Sequence, residues 1–129
     1  MSTNSAVLTV SQVNQTIKQM LEEMPTFRSL YVQGEISNYK AHSSGHRYFT
    51  LKDEQAALSA VMFRSDASRL RFRPQNGMKV IARGRISSYP KTGQVQMYVA
   101  DMMPDGIGSL TIAFEQLKQR LYLEGLFDT

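Results

Sequence analysis

Between Tyr39 and Tyr48 the chain carries two tyrosines, two histidines and a Ser-Ser-Gly turn. His42 and His46 stand four residues apart, and on a helix that spacing would present two imidazoles to one metal ion. Here they flank a turn, and no cysteine or carboxylate cluster accompanies them, so no metal is expected. Ser43 or Ser44 with His46 as base would be a nucleophile pair, yet no orienting acid or oxyanion element is recognisable. Nor do paired carboxylates stand out, as a two-metal nuclease would need. What does accumulate is aromatic faces and cations: Tyr39 and Tyr48, then Tyr89 and Tyr98, with Lys52, Arg64, Arg83, Arg85 and Lys91. Single-stranded nucleic acid selects that mixture, because bases stack on aromatic rings whatever their sequence while cations follow the phosphates. The candidate nucleic-acid-binding residues are therefore Tyr39, His42, His46, Tyr48, Lys52, Arg64, Arg83, Arg85, Tyr89 and Lys91, with no catalytic residue and no metal ligand. The competing reading is that these tyrosines merely support a sheet beneath a solvated basic surface.

The charge distribution favours a polyanionic partner. The chain has 129 residues and a formal charge of +4. From Arg64 to Lys91 there are eight basic residues against one acid, Asp66, whereas the two flanks together carry fewer bases than acids. The excess therefore belongs to the middle of the chain. A 42% apolar fraction fits one folded domain, and the absence of cysteine removes both disulfides and thiolate metal sites. No apolar run reaches the roughly 20 residues that span a bilayer, and the first residues lack a signal-peptide core. A cytoplasmic protein that uses no cofactor is the expectation.

The elements that must position these residues follow from periodicity. Residues 1–8 read as a flexible tail. Val10, Val13, Ile17, Met20, Leu21 and Met24 recur at helical spacing, with Thr9 or Ser11 as cap and Pro25 at the end, and this apolar face is expected to pack on the sheet. A partner helix is the alternative. Leu30–Tyr39 and His46–Lys52 alternate as a β-hairpin, with Gly34 expected to mark a bulge or a sharp coil. On its second strand His46, Tyr48, Thr50 and Lys52 share the outer face. Residues 56–63 read as a buried strand, 65–72 as a short helix, and 78–88 and 94–102 as strands joined by the Tyr-Pro-Lys-Thr-Gly turn, with Val95, Met97 and Val99 facing in.

Five strands with a helix between the third and fourth predict a mainly β protein, a five-stranded OB-fold Greek-key barrel over residues 9–103 with an added N-terminal helix. Residues 104–129 read as a linker and a C-terminal connecting helix, capped by Ser109 and ending near Gly125. Gly106 and Gly108 match no phosphate-loop pattern and are taken as part of the connector.

The segments G-E-I-S-N (34–38), H-S-S-G-H-R-Y-F-T-L-K-D (42–53), A-V-M-F-R (60–64), G-M-K-V (77–80), R-G-R-I-S (83–87) and A-F-E-Q-L-K-Q-R-L (113–121), followed by E-G-L-F-D (124–128), carry a resemblance. From Leu8 onward the chain resembles the N-terminal part of the large subunit of bacterial exodeoxyribonuclease VII. That resemblance implies an OB-fold that binds single-stranded DNA, ahead of a catalytic region and of helices that assemble with a small subunit. It implies an enzyme that degrades single strands from both ends to oligonucleotides without added divalent metal. No catalytic residue of that family maps onto these positions, so the chain alone is expected to be non-catalytic. An OB-fold binding or assembly module unrelated to a nuclease is the alternative.

Overall fold

A computed structural model describes residues 6–123, with the backbone alone for 120–123. The expected tail over residues 1–8 and the helix end near Gly125 lie partly or wholly outside these residues. Five strands, β1 (Leu30–Ala41), β2 (Arg47–Lys52), β3 (Ala57–Met62), β4 (Lys79–Tyr89) and β5 (Gln94–Pro104), form a closed barrel in the order β1-β2-β3-β5-β4. All neighbours are antiparallel except β3 and β5. Helices α1 (Val10–Glu23) and α2 (Pro25–Arg28) precede it, α3 (Arg64–Ala67) lies between β3 and β4, and α4 (Ile107–Leu123) follows β5. This is the expected OB topology, strand for strand.

Alternation fills the barrel. Ile36, Phe49, Leu51, Ala60, Met62, Val80, Ala82, Ile86, Met97, Val99 and Met102 point inward and are buried, and Phe72 and Met78 join the same cluster. Each fully buried large side chain contributes about 1.5–3 kcal/mol, and unbranched methionines fill the irregular space that a tightly curved sheet leaves. Val95, expected to face in, is 42% exposed because it lies opposite Ser88 beside the β4–β5 turn, beyond the end of the core.

Two irregularities curve the sheet. β1 pairs with β4 through Glu35 and with β2 from Glu35 onward, so Gly34 sits where the strand changes partners. Its register there is regular. The shift in β1 falls between Ser37 and Lys40, where Asn38 takes φ 52°, an αL conformation that asparagine tolerates. The second irregularity is between Arg83 and Gly84 on β4, where Ala100 of β5 is left unpaired. A Cβ on Gly84 would stand 2.1 Å from the Tyr98 carbonyl oxygen, so only glycine permits this crossing.

The helices depart from expectation in instructive ways. Of the two expected caps Thr9 is the one used, in a capping box with Gln12. Its apolar row, however, does not pack on the sheet: Val10, Val13, Ile17, Met20 and Met24 are all exposed. The half-buried positions are Asn14, Lys18, Leu21 and Glu22. The reason is the surface they meet, the outer side of β4 and its hairpin, which offers a hydroxyl and a carbonyl rather than apolar area. Asn14 Nδ2 donates to the Pro90 carbonyl at 2.9 Å, and Ser87 Oγ donates to Glu22 Oε2 at 2.6 Å. α3 is one turn, not the eight residues expected, because the chain leaves it through a turn and bends in which Leu70 and Phe72 turn inward and the residues between and after them outward. α4 begins at Ile107 rather than after Ser109; Leu110 N–H donates to the Gly106 carbonyl, and Ser109 Oγ instead accepts the Lys79 N–H at 2.7 Å, tying the helix to β4.

Two outcomes follow. Gly84→Ala should cost about 1–3 kcal/mol by overpacking, read from the denaturant midpoint; an unchanged midpoint would mean that the crossing is not tight. The Glu22 carboxyl is held below its ordinary value of 4.5 first by its hydrogen bond to Lys18 and then by that to Ser87. A depressed carboxylate contributes stability above its unfolded value and loses it as pH falls through the folded one. The α1 resonances should therefore shift toward an undocked state as pH drops below about 4.5, and Glu22→Gln should abolish that acid-dependent step.

Candidate nucleic-acid interface

The outer face of the barrel is ordered by strand register. Tyr48 of β2 lies opposite Val61 of β3, Val61 opposite Tyr98 of β5, and Tyr98 opposite Arg85 of β4. These four residues make one row across the sheet. His46, two residues before Tyr48, projects on the same side, and Phe63 leaves the end of β3 beside it. The His46 and Phe63 rings meet edge to face at 5.4 Å, Phe63 stacks on Tyr98 at 5.8 Å with 23° between planes, and the Arg85 guanidinium lies 4.5 Å above the Tyr98 ring. At the other end of the row His42 meets Tyr48 edge on at 6.1 Å. Tyr48 and Phe63 remain 41% and 40% exposed, so their rings have free area to offer a base.

The β1–β2 loop is fixed from inside. His42 N–H donates to the His46 carbonyl, and Gly45 N–H donates to that of His42. The His42 Nδ1 and Ser44 Oγ atoms are 2.8 Å apart, which stiffens the turn. His46 Nδ1 accepts the Arg64 N–H at 2.9 Å and does the work of a cap that Phe63, with no polar side chain, cannot provide for α3. Gly45 adopts φ 94°, and a Cβ there would collide with the Arg64 side chain at 2.6 Å. Arg64 is thus laid over the turn, beside the aromatic row.

The ten expected residues divide. His42, His46, Tyr48, Arg64 and Arg85 come together at the row. Arg83 lies past the β4 irregularity, opposite Asp101, yet lines the same groove as Arg85, Phe63 and Tyr98. Lys52 is at the far end of β2, where Glu35 partly neutralises it at 3.7 Å. Tyr89 and Lys91 sit at the β4–β5 turn, set apart from Arg85 by the stretch of β4 on which α1 docks. Tyr39 is not on this face. The shift at Asn38 turns it inward against Phe49, with 5.9 Å between rings, and burial raises its phenol pKa, opposed by the nearby Arg47. Phe63 was not among the expected residues. Its signal was parity: it shares a face with Val61, not with the buried Ala60 and Met62, and it stands directly before Arg64.

Comparison with known proteins agrees with the fold. Residues 8–103 match the family model described as an OB-fold nucleic acid binding domain. The exodeoxyribonuclease 7 large subunit of Alkaliphilus oremlandii is 55% identical over 122 residues, which is 95% of this chain and 30% of that protein. That of Halalkalibacterium halodurans is 52% identical over 127 residues, 98% of this chain and 28% of that protein. The chain thus spans less than a third of the length of these relatives. Among solved structures, asparaginyl-tRNA synthetase from Pyrococcus horikoshii with asparaginyl-adenylate shares the fold, at a TM-score of 0.51 and 15% identity, over 81% of this chain and 24% of that one. Matched by the family model over about three quarters of its length, the chain belongs to the OB-fold nucleic acid binding domain family.

Proposed function

We propose that this chain is the single-stranded-DNA-binding part of an exodeoxyribonuclease large subunit, and that it grips the strand and delivers an end to a catalytic region outside residues 1–129. The observation that carries the reading is the row of Tyr48, Phe63, Tyr98 and Arg85 across the outer face, bordered by the rigid 42–46 loop. Bases stack on Tyr48 and Phe63, and Arg64, Arg83 and Arg85 neutralise phosphates. Tyr98 is less available, being covered by Phe63 on one side and Arg85 near its face, so its task is to hold those two side chains. Lys52, Tyr89 and Lys91 extend the contact along β2 and the β4–β5 turn.

The names of the relatives support the nuclease context. In it, the whole protein hydrolyses single-stranded DNA from both ends to oligonucleotides, assembles with a small subunit through other parts of its chain, and works in the cytoplasm. Residues 9–103 are the binding domain and residues 104–129 the connection onward. No helix among the described residues is long and apolar enough to cross a membrane. One observation favours a second reading, an assembly module: the exposed apolar row of α1.

The readings separate in a titration of labelled single-stranded oligonucleotide followed by anisotropy. The three arginines at the row alone contribute about −2 to the log-log salt slope, from roughly 0.7 per contact, so the slope should be at least that steep. Phe63→Ala and Tyr48→Ala should each weaken binding by about 1–3 kcal/mol with little change in slope, as loss of one stack requires. Arg85→Ala should weaken binding to all sequences alike and make the slope shallower. Absence of single-strand binding even at low salt, together with concentration-dependent self-association, would replace the proposal by the assembly reading.

A further inference from the structure

Behind the 42–46 loop, on the side away from the aromatic row, lies a cleft of about 420 Å³, within the size range of ligand pockets. Leu70 and Phe72 contribute its apolar floor, Tyr39 and the arginines Arg47, Arg71 and Arg73 surround it, and Gln116 of α4 forms a wall. The segment that supplies Arg71 and Arg73 alternates: Leu70 and Phe72 pack on the core, so the arginines between and after them turn outward. Among the described residues no carboxylate lines the cleft and none forms a salt bridge with Arg47, Arg71 or Arg73. Arg69, the next basic residue of that segment, is by contrast paired with Asp66 at 2.7 Å.

The convergence is built rather than incidental. Arg47 Nη1 donates to the Gly45 carbonyl at 2.7 Å, which fixes the guanidinium against the loop. Gln116 brackets Arg73, its amide donating to the Arg73 carbonyl at 2.9 Å and its oxygen accepting the Arg73 N–H. Three like charges repel one another when brought into one cleft, and the arrangement is relieved when an anion sits between them. Guanidinium forks suit phosphate oxygens in particular.

We propose that this cleft is a second phosphate-binding subsite, which takes phosphates of the same single strand after it has crossed the 42–46 loop from the aromatic row. The inference rests on the single-strand-binding reading and extends its track: Arg47, on β2 between His46 and Tyr48, faces the cleft while its neighbours face the row. Tyr39 closes the inner side, which gives a place to the one tyrosine that the fold removes from the outer face.

The test uses the whole chain, with labelled oligothymidylates of about 4 and about 12 nucleotides, the lower and upper parts of the range an OB-fold covers. Arg71→Ala/Arg73→Ala changes two exposed side chains. It should leave affinity for the short oligonucleotide unchanged, weaken the long one at least tenfold, and make its salt slope shallower by about 1.4, twice the single-strand coefficient. Wild-type binding with no difference in the double variant at either length would overturn the subsite and leave the proposed function standing. No binding by the wild type to either length would overturn both. Saturable binding of thymidine 5′-monophosphate by the wild type, lost in the double variant while the long oligonucleotide is unaffected, would instead make the cleft a free-nucleotide site and overturn its place on the strand's path.

Discussion

The parallel pairing of β3 with β5 is the constraint on which the site depends. It is a short contact, Ser59 to Val61 against Gln96 to Tyr98. Without it β5 would meet β4 alone, the barrel would stay open, and Tyr98 would have no fixed relation to β2. With it, Tyr48, Val61, Tyr98 and Arg85 fall into one row, and Phe63 is carried onto the Tyr98 ring. Parallel strands need a long crossover, and the segment containing α3 and the arginine-rich stretch lies in the passage from β3 to β4 that the topology requires. The same topology therefore sets both the aromatic row and the cations around it.

Much of this was legible because a sheet exposes its logic in period two. The outward set His46, Tyr48, Thr50, Lys52 and the inward set Met78, Val80, Ala82, Ile86 follow directly from alternation, and the order of five strands with a helix after the third fixes the fold. What alternation cannot give is a change of phase. Asn38 takes an αL conformation in mid-strand and reverses the side on which Tyr39 emerges, so a residue expected outside packs against Phe49. Phe63 failed for the complementary reason. In a nearly continuous apolar run every residue looks buried, and the parity that Phe63 shares with Val61 becomes informative only once the pairing of Val61 with Tyr48 places Val61 on the outer face.

α1 shows a different limit. Helical periodicity identifies an apolar face but not which surface the helix meets. Here the barrel is already filled by strand side chains, and the available outer side of β4 presents Ser87 and the Pro90 carbonyl. Hydrogen bonds to Asn14 and Glu22 determine the orientation, and the apolar row is left outward. The helix is thereby held on the strand that carries Arg85, so the extent of the proposed nucleic-acid face along β4 is set by where these polar ties fall.

The most direct measurement is a nuclear magnetic resonance titration of the chain with oligothymidylate, following the ring protons of Tyr48, Phe63 and Tyr98. Base stacking on the row predicts progressive ring-current shifts at Tyr48 and Phe63 and a smaller response at Tyr98. Shifts that spare Tyr48 and Phe63 while the strand binds would contradict the account, because the strand would then be held by some other face of the barrel.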